Sequence, residues 1–193
     1  MSQDTLSAVR NPKRLAALRA LGLLDTPAEE AFDRLARLAA RLLQAPIALV
    51  SLVDEDRQFF KSCLGLPEPW ASWRETPLSH SFCQHVVATC APLIVSDART
   101  HPELHDNLAI RDLKVVAYLG IPLTLPNGHT VGSFCVVDSK PRTWTALETE
   151  TLRDFAASVM SEIELHAVRG RLEVRIQEQA GELGDAAQAL AGC

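Results

Sequence analysis

The side chains best suited to chemistry lie in two short stretches, Ser79-His80-Ser81-Phe82-Cys83-Gln84-His85 and Val131-Gly132-Ser133-Phe134-Cys135-Val136-Val137-Asp138. Ser81 and Gln84 have the spacing of a capping box, which predicts a helix from Ser81 to about Cys90. Cys83 then falls at the second helical position, where free amides and the helix dipole favour a thiolate. A thiol redox cycle needs a nucleophilic sulfur and a second thiol within bridging reach, with Cα atoms less than about 7 Å apart. Cys83 and Cys90 are two turns apart on the expected helix, too far to bridge. Small buried thiols filling a core are the more ordinary reading of Cys83, Cys90 and Cys135.

Metal chemistry has candidates as well. His80, Cys83 and His85 crowd one segment, His101 and His105 are spaced i, i+4, and Asp97 and Asp106 lie close by. Facing one pocket, these donors suit a transition metal. Solvated surface histidines are the more ordinary reading. No G-x-G-x-x-G or G-x-x-x-x-G-K-S/T stretch is present, so no phosphate cradle is read. A ligand pocket is expected to be walled by Phe82 and Cys83 at the helix start, Asp97 and Asn107 from a loop, and Tyr118 and Phe134 from strands. Polar groups at a pocket mouth orient a ligand. The plainer roles are core packing for the aromatics and turn capping for Asp97 and Asn107.

Elements must position these residues, and the sequence supplies them in order. Met1 to Arg10 is polar and expected to be loose. Leu15, Leu18 and Leu21 recur at helical steps behind Asn11-Pro12. Thr26-Pro27-Ala28-Glu29 reads as a capping box for a helix burying Phe32, Leu35, Leu38, Ala39 and Leu42. Ile47 to Val53 has the composition of a buried strand, and Gln58 to Cys63 reads as its antiparallel neighbour. Gly65 to Thr76, with Trp70 and Trp73, is an irregular loop in which Trp packs the chain down. Leu93 to Val95 is a short strand, and Ala98 to Asp112 a loop with helical turns. Val115 to Leu125 and Thr130 to Asp138 form a hairpin across Asn127-Gly128, a pair preferred by type I′ turns. Pro122 marks an edge or bulge. Thr145 and Glu148 open a long helix whose buried stripe is Leu152, Phe155, Ala156, Val159 and Ile163. Leu165, Val168, Leu172, Ile176, Ala180, Leu183, Ala187 and Leu190 continue it as a heptad-like seam, weakened by Gly170, Gly181 and Gly184. A two-stranded parallel coiled coil is the expected arrangement.

The 193 residues, 47% hydrophobic and 22% charged, suffice for one domain with a proper core. A net charge of -5 with scattered Lys and Arg argues against nucleic acid as a partner. The longest apolar run, residues 45–53, falls far short of the roughly 18–20 residues that span a bilayer, and no secretory signal is read at the N-terminus. No membrane partner and a cytoplasmic location are therefore expected. Five cysteines without a C-x-x-C pair fit a reducing compartment.

Taken together, several segments resemble a GAF domain. They are Leu24 to Pro27 with Glu30, Phe32 and Asp33; Pro46 to Asp54; Arg57 to Lys61; Glu75 to Cys83; Val95 to Arg99; Tyr118 to Leu123; and Gly132 to Asp138. The match is to the bacterial signalling branch found in front of histidine kinases and diguanylate cyclases, and covers residues 11–164. The resemblance implies an α+β fold: a central antiparallel sheet, helices on one face, pocket-covering loops and short helices on the other, and a long C-terminal helix. Residues 1–10 form a flexible start and 165–193 a coiled-coil-like extension. It also implies a sensory or regulatory module in a two-component-like system. This module binds an unknown small molecule and signals, as a homodimer through the terminal helix, to an output domain. No catalytic residue and no cofactor are assigned. A covalent bilin, carried by phytochrome-like members, has only Cys83 in its favour, and the cyclic-nucleotide signature of other members is absent. Two alternatives stay open: a thiol-dependent enzyme resembling free-methionine sulfoxide reductase, and a purely structural dimerisation module.

Overall fold

Side-chain alternation along the strands decides the architecture. In β1 (Ile47–Val53) every residue is buried. Ala48, Val50 and Leu52 join one apolar cluster, while Ile47, Leu49 and Val53 join another. A strand buried on both faces needs a layer on each side. The computed structural model describes the backbone of residues 3–191 and the side chains of residues 3–181. The seam positions Leu183, Ala187 and Leu190, with Gly184 and Cys193, lie outside the described side chains.

Besides β1, the strands are β2 (Arg57–Leu64), β3 (Glu75–Pro77), β4 (Leu93–Val95), β5 (Ala117–Thr124) and β6 (Thr130–Asp138). They form one sheet in the order β3-β2-β1-β6-β5-β4, with every neighbouring pair antiparallel. Helices α2 (Pro12–Arg19), α3 (Glu30–Leu42) and α7 (Ala146–Ala191) supply the back layer. Helices α1 (Gln3–Val9), α5 (Cys83–Thr89) and α6 (Leu108–Asp112) cover the front. A one-turn helix, α4 (Trp70–Trp73), sits beside β3. The expected α+β arrangement, helices behind and short covering elements in front, is the one observed.

Local chemistry accounts for most element boundaries. The Asn11 side chain accepts from the amides of Lys13 (2.9 Å) and Arg14 (3.2 Å), and Pro12 follows at the first turn of α2. At α7, Thr145 and Glu148 close a reciprocal capping box, with the Glu148 amide 3.1 Å from Thr145 Oγ1 and the Thr145 amide 2.7 Å from Glu148 Oε2.

Several expectations require correction. On α3, Leu38 and Leu42 are exposed while Ala36 and Ala40 are buried with Phe32 and Ala39, and Trp73 does not pack its loop down but is 60% exposed. The N-terminal segment forms α1, which packs on α5 through buried Val9. Thr26 and Glu29 do not cap α3. Lys61, fully buried on β2, claims both, with Nζ 2.6 Å from Thr26 Oγ1, 2.9 Å from the Pro27 carbonyl and paired with the Glu29 carboxylate. A buried ammonium must be paired and hydrogen-bonded, and that demand outweighs a cap. Helix α5 begins at Cys83, two residues later than expected, although Ser81 Oγ still accepts the Gln84 amide at 3.1 Å. The β5–β6 hairpin is not type I′: Gly128 alone in the tip has positive φ (+83°), and the Gly128 amide bonds the Leu125 carbonyl at 2.9 Å. This is a three-residue turn in which glycine takes the left-handed position, with a register shift at Leu123/Thr124. Pro122 lies beyond the reach of β4, which pairs only Tyr118 to Gly120.

Candidate functional site

The front face carries the buried polar chemistry. Strand register places Ser51, Ser133, Leu49, Cys135, Tyr118 and Gly120 on that face: Ser51 is opposite Ser133, Leu49 opposite Cys135, and Cys135 opposite Gly120. Helix α5 lies across them and brings Cys83 down from above. The Cys83 and Cys135 sulfurs are 4.0 Å apart. Tyr118 Oη is 3.3 Å from Cys83 Sγ and 3.1 Å from Ser133 Oγ. The phenol reaches this position by lying flat over its own strand. A Cβ on Gly120 would collide with the Tyr118 ring, so glycine is what admits the ring there. Phe82 stacks on the other side of Tyr118, with ring centroids 5.3 Å apart.

The two thiols are electrostatically unlike. Hydrogen bonding from Cys135 lowers the Cys83 thiol to about 7; Ser51, Tyr118 and Ser133 act the same way, against the opposing effect of burial. Cys135 moves in the opposite direction, because its hydrogen bond to Cys83, burial and the negative charge favoured on Cys83 all disfavour a second thiolate. Burial and the nearby sulfurs likewise push the Tyr118 hydroxyl well above its ordinary value. The thiolate preference expected of Cys83 is thus present, but its source is the thiol and hydroxyl partners, not a long helix, since α5 has only seven residues.

A second polar cluster lies beside the first. Gln58 Oε1 accepts from Ser81 Oγ (2.7 Å) and Ser51 Oγ (3.3 Å), while Gln58 Nε2 donates to Thr76 Oγ1 (2.7 Å). Ser81 thereby ties the loop before α5 to the sheet. Between α5 and the sheet is an apolar cavity of about 20 Å³, bordered by Phe82, Cys83, Tyr118 and Cys135 together with Phe60 and Leu113. That volume holds about one water.

Of the expected pocket residues, Phe82, Cys83 and Tyr118 meet at this cavity. Phe134 does not: it is fully buried on the back face among the α3 and α7 side chains, because it falls out of phase with Cys135 on β6. Asp97 is at the far end of β4, where it accepts from the Arg99 amide (3.1 Å) and pairs with the Arg99 guanidinium (2.6 Å), which holds its carboxyl below the ordinary range. Asn107 caps α6 through the Ala109 amide (3.0 Å) and donates to the Ser81 carbonyl (3.1 Å). Both therefore have the plainer capping role, although Asn107 also locks the α5 entry.

The histidines do not converge. His80 bonds Asp112 (3.0 Å) and Ser79 (3.1 Å) under the Trp70 ring, and Arg111 and His80 together hold the Asp112 carboxyl low. His85 is half-buried on α5, and His101 and His105 lie in the loop before α6. Among the described residues no group of three or more His, Cys, Asp and Glu side chains is placed to hold a metal. Sequence reasoning missed Ser51, Gln58, Ser133 and Gly120. Strand alternation around Cys135 and Tyr118 was the one available signal for them.

A family model described as GAF domain matches residues 27–163. The chain is 35% identical over 158 residues to the cyclic di-GMP phosphodiesterase PA2567 of Pseudomonas aeruginosa, covering 81% of this chain and 26% of the relative. It thus spans about a quarter of that protein's length. Among solved structures, the GAF domain of a phosphoenolpyruvate-protein phosphotransferase from Coxiella burnetii superposes with a TM-score of 0.62 at 17% identity, over 85% of this chain and 98% of that one. A free methionine-R-sulfoxide reductase from Neisseria meningitidis superposes with a TM-score of 0.58 at 14% identity, over 83% and 95%. At such identities the likeness is one of fold alone. Among the described residues no helix is long and apolar enough to cross a membrane. The family match across most of the chain, on a six-stranded antiparallel sheet with layers on both faces, makes this chain a member of the GAF domain family, a sensory, small-molecule-binding fold.

Proposed function

We propose that the chain is a sensory and regulatory GAF module of a cytoplasmic signalling protein. Its front layer takes a small molecule, and its terminal helix, paired in parallel with that of a second copy, passes the change to an output domain. Residues 11–164 form the sensing body in this reading, and the helix beyond carries the signal. The P. aeruginosa relative makes cyclic di-GMP turnover the output to test first. Catalysis is assigned to the output domain and not to this one.

The observation that carries the reading is the course of α7. Leu152, Ala156, Val159 and Ile163 bury themselves against the sheet. The same helix then continues with Leu165, Val168, Leu172 and Ile176 at 42, 43, 52 and 63% exposure. Apolar side chains at three- and four-residue steps on an uncovered helix suit a partner helix of the same kind. Strand β5 supplies the mechanical link, since Tyr118 faces the front cavity while its back face packs on α7. The cavity as it stands holds little more than a water, so ligand entry requires Phe82 and the α5 start to move off Tyr118. A ligand that favours the moved state shifts the population by its differential affinity.

Two measurements test this. Native mass spectrometry of protein purified from its own host, compared with the denatured mass, is expected to show a dimer carrying extra mass that denaturation releases. Analytical ultracentrifugation of Leu172→Glu is expected to show monomer where the unaltered chain is dimeric. A monomeric unaltered chain at micromolar concentration would sink the helix-pairing claim, and a bare mass across several growth conditions would sink the ligand claim.

A further inference from the structure

We propose that Cys83 and Cys135 are a peroxide-oxidisable dithiol whose reversible disulfide fastens the front layer to the sheet. The two sulfurs come from unconnected elements 52 residues apart in sequence, yet face each other at 4.0 Å. Each is held by separate structure: Cys135 by its register between β1 and β5, Cys83 by the Ser81–Gln58 anchor that fixes the α5 entry. Bond formation requires the sulfurs to close by about 2 Å, a displacement that a seven-residue helix can make as a unit.

The small cavity bears on which oxidant serves. It borders both sulfurs and, at about 20 Å³, suits a guest the size of water or hydrogen peroxide, not a bulky disulfide or quinone. The hydroxyl of Tyr118, 3.3 Å from Cys83 and backed by Ser133, makes Cys83 the attacking sulfur and Cys135 the resolving one. The lowered Cys83 thiol and raised Cys135 thiol agree with that division.

The steps balance. The Cys83 thiolate attacks one peroxide oxygen; an S–O bond forms, the O–O bond breaks, and the departing hydroxide takes a proton to become water. Cys83 is oxidised to a sulfenic acid as the peroxide is reduced. The Cys135 sulfur then attacks the Cys83 sulfur; the S–S bond forms, the S–O bond breaks, and hydroxide leaves with the Cys135 proton as a second water. A dithiol reductant reverses the bond by thiol exchange. Because Phe82 is next to Cys83 and stacks on Tyr118, the bond would draw that aromatic lid onto the cavity.

The test uses the whole chain with Cys63, Cys90 and Cys193 changed to serine. After treatment with stoichiometric hydrogen peroxide, the protein is unfolded in urea with N-ethylmaleimide. The expected result is loss of both alkylation adducts, a cross-linked peptide joining Cys83 to Cys135 within one molecule, and recovery of both adducts with dithiothreitol. In the same background Cys135→Ser is expected to trap a dimedone adduct on Cys83. Retention of both adducts overturns the proposal, as does over-oxidation without a cross-link or a link only between molecules. Should the serine variant fail to fold, peptide mapping of the unaltered protein decides by the same criterion. The outcome is independent of whether a ligand or a dimer is found.

Discussion

The two faces of one sheet differ sharply in what they bury. Behind it, α2, α3 and α7 pack Phe32, Ala36, Leu119, Leu123, Leu152 and Val159 into a largely apolar layer that also buries Lys61 against Phe32. In front, short helices cover two thiols, a phenol, three serines and a glutamine, all buried and joined by hydrogen bonds. Long amphipathic helices bury more apolar surface and rely less on polar groups. Helices of five and seven residues bury little, so the front depends on hydrogen bonds that must all be satisfied at once. Stability therefore rests chiefly on the back layer, and the front is the face proposed to respond.

Substitutions can break or sharpen that division. The largest effect is expected behind the sheet: Leu152→Ala should cost about 2–5 kcal/mol in denaturant unfolding and leave the Cys83 titration unchanged. Gly120→Ala should cost about 1–3 kcal/mol, because the added methyl meets the Tyr118 ring and the packed site resists expansion. It should also withdraw the phenol from Cys83, so that the thiolate ultraviolet absorbance develops at higher pH. Asn107→Ala should cost about 1 kcal/mol through loss of the α6 cap, with faster amide exchange at the α5 entry that Asn107 holds through the Ser81 carbonyl. An equally small effect on stability is expected of Tyr118→Phe, about 1 kcal/mol, since the ring is retained while Ser133 Oγ loses its phenol partner, yet this variant should raise the Cys83 titration from about 7 by removing a donor.

The front should also govern the pH response. A cysteine that titrates near 7 when folded and near 9 when unfolded contributes stability that is complete above about 9. That contribution falls away as pH drops through about 7. Cys135 and Tyr118, both raised by folding, act oppositely and withdraw stability at higher alkalinity. Unfolding free energy measured from pH 6 upward is therefore expected to rise through this window and then decline, and Cys83→Ser should diminish the rise, leaving the part that His85, lowered by burial, contributes at its acid end. A flat profile in the unaltered chain would contradict the front-face electrostatics.

Local sequence was sufficient wherever an element's neighbours are close in the chain. The strands β1, β2 and β6, the Asn11 and Thr145 caps and the apolar stripe of α7 follow from periodicity and capping chemistry, which act over a few residues; the stripe expected of α3 does not, since Leu38 and Leu42 are exposed and Ala36 and Ala40 are buried. Phe82, Cys83 and Tyr118 are expected to share a pocket wall, but Cys83 and Tyr118 are 35 residues apart and meet only through packing. What tertiary structure alone decided lies across the sheet. Whether Phe134 or Cys135 faces forward depends on register, and a one-residue shift exchanges them. Lys61, from a strand 32 residues away, takes Glu29 from its helix cap because a buried cation must be paired. The meeting of Cys83 with Cys135 joins positions 52 apart through α5, β4, α6, β5 and β6. Spacing along the chain named both sulfurs, but only packing could bring them to 4.0 Å.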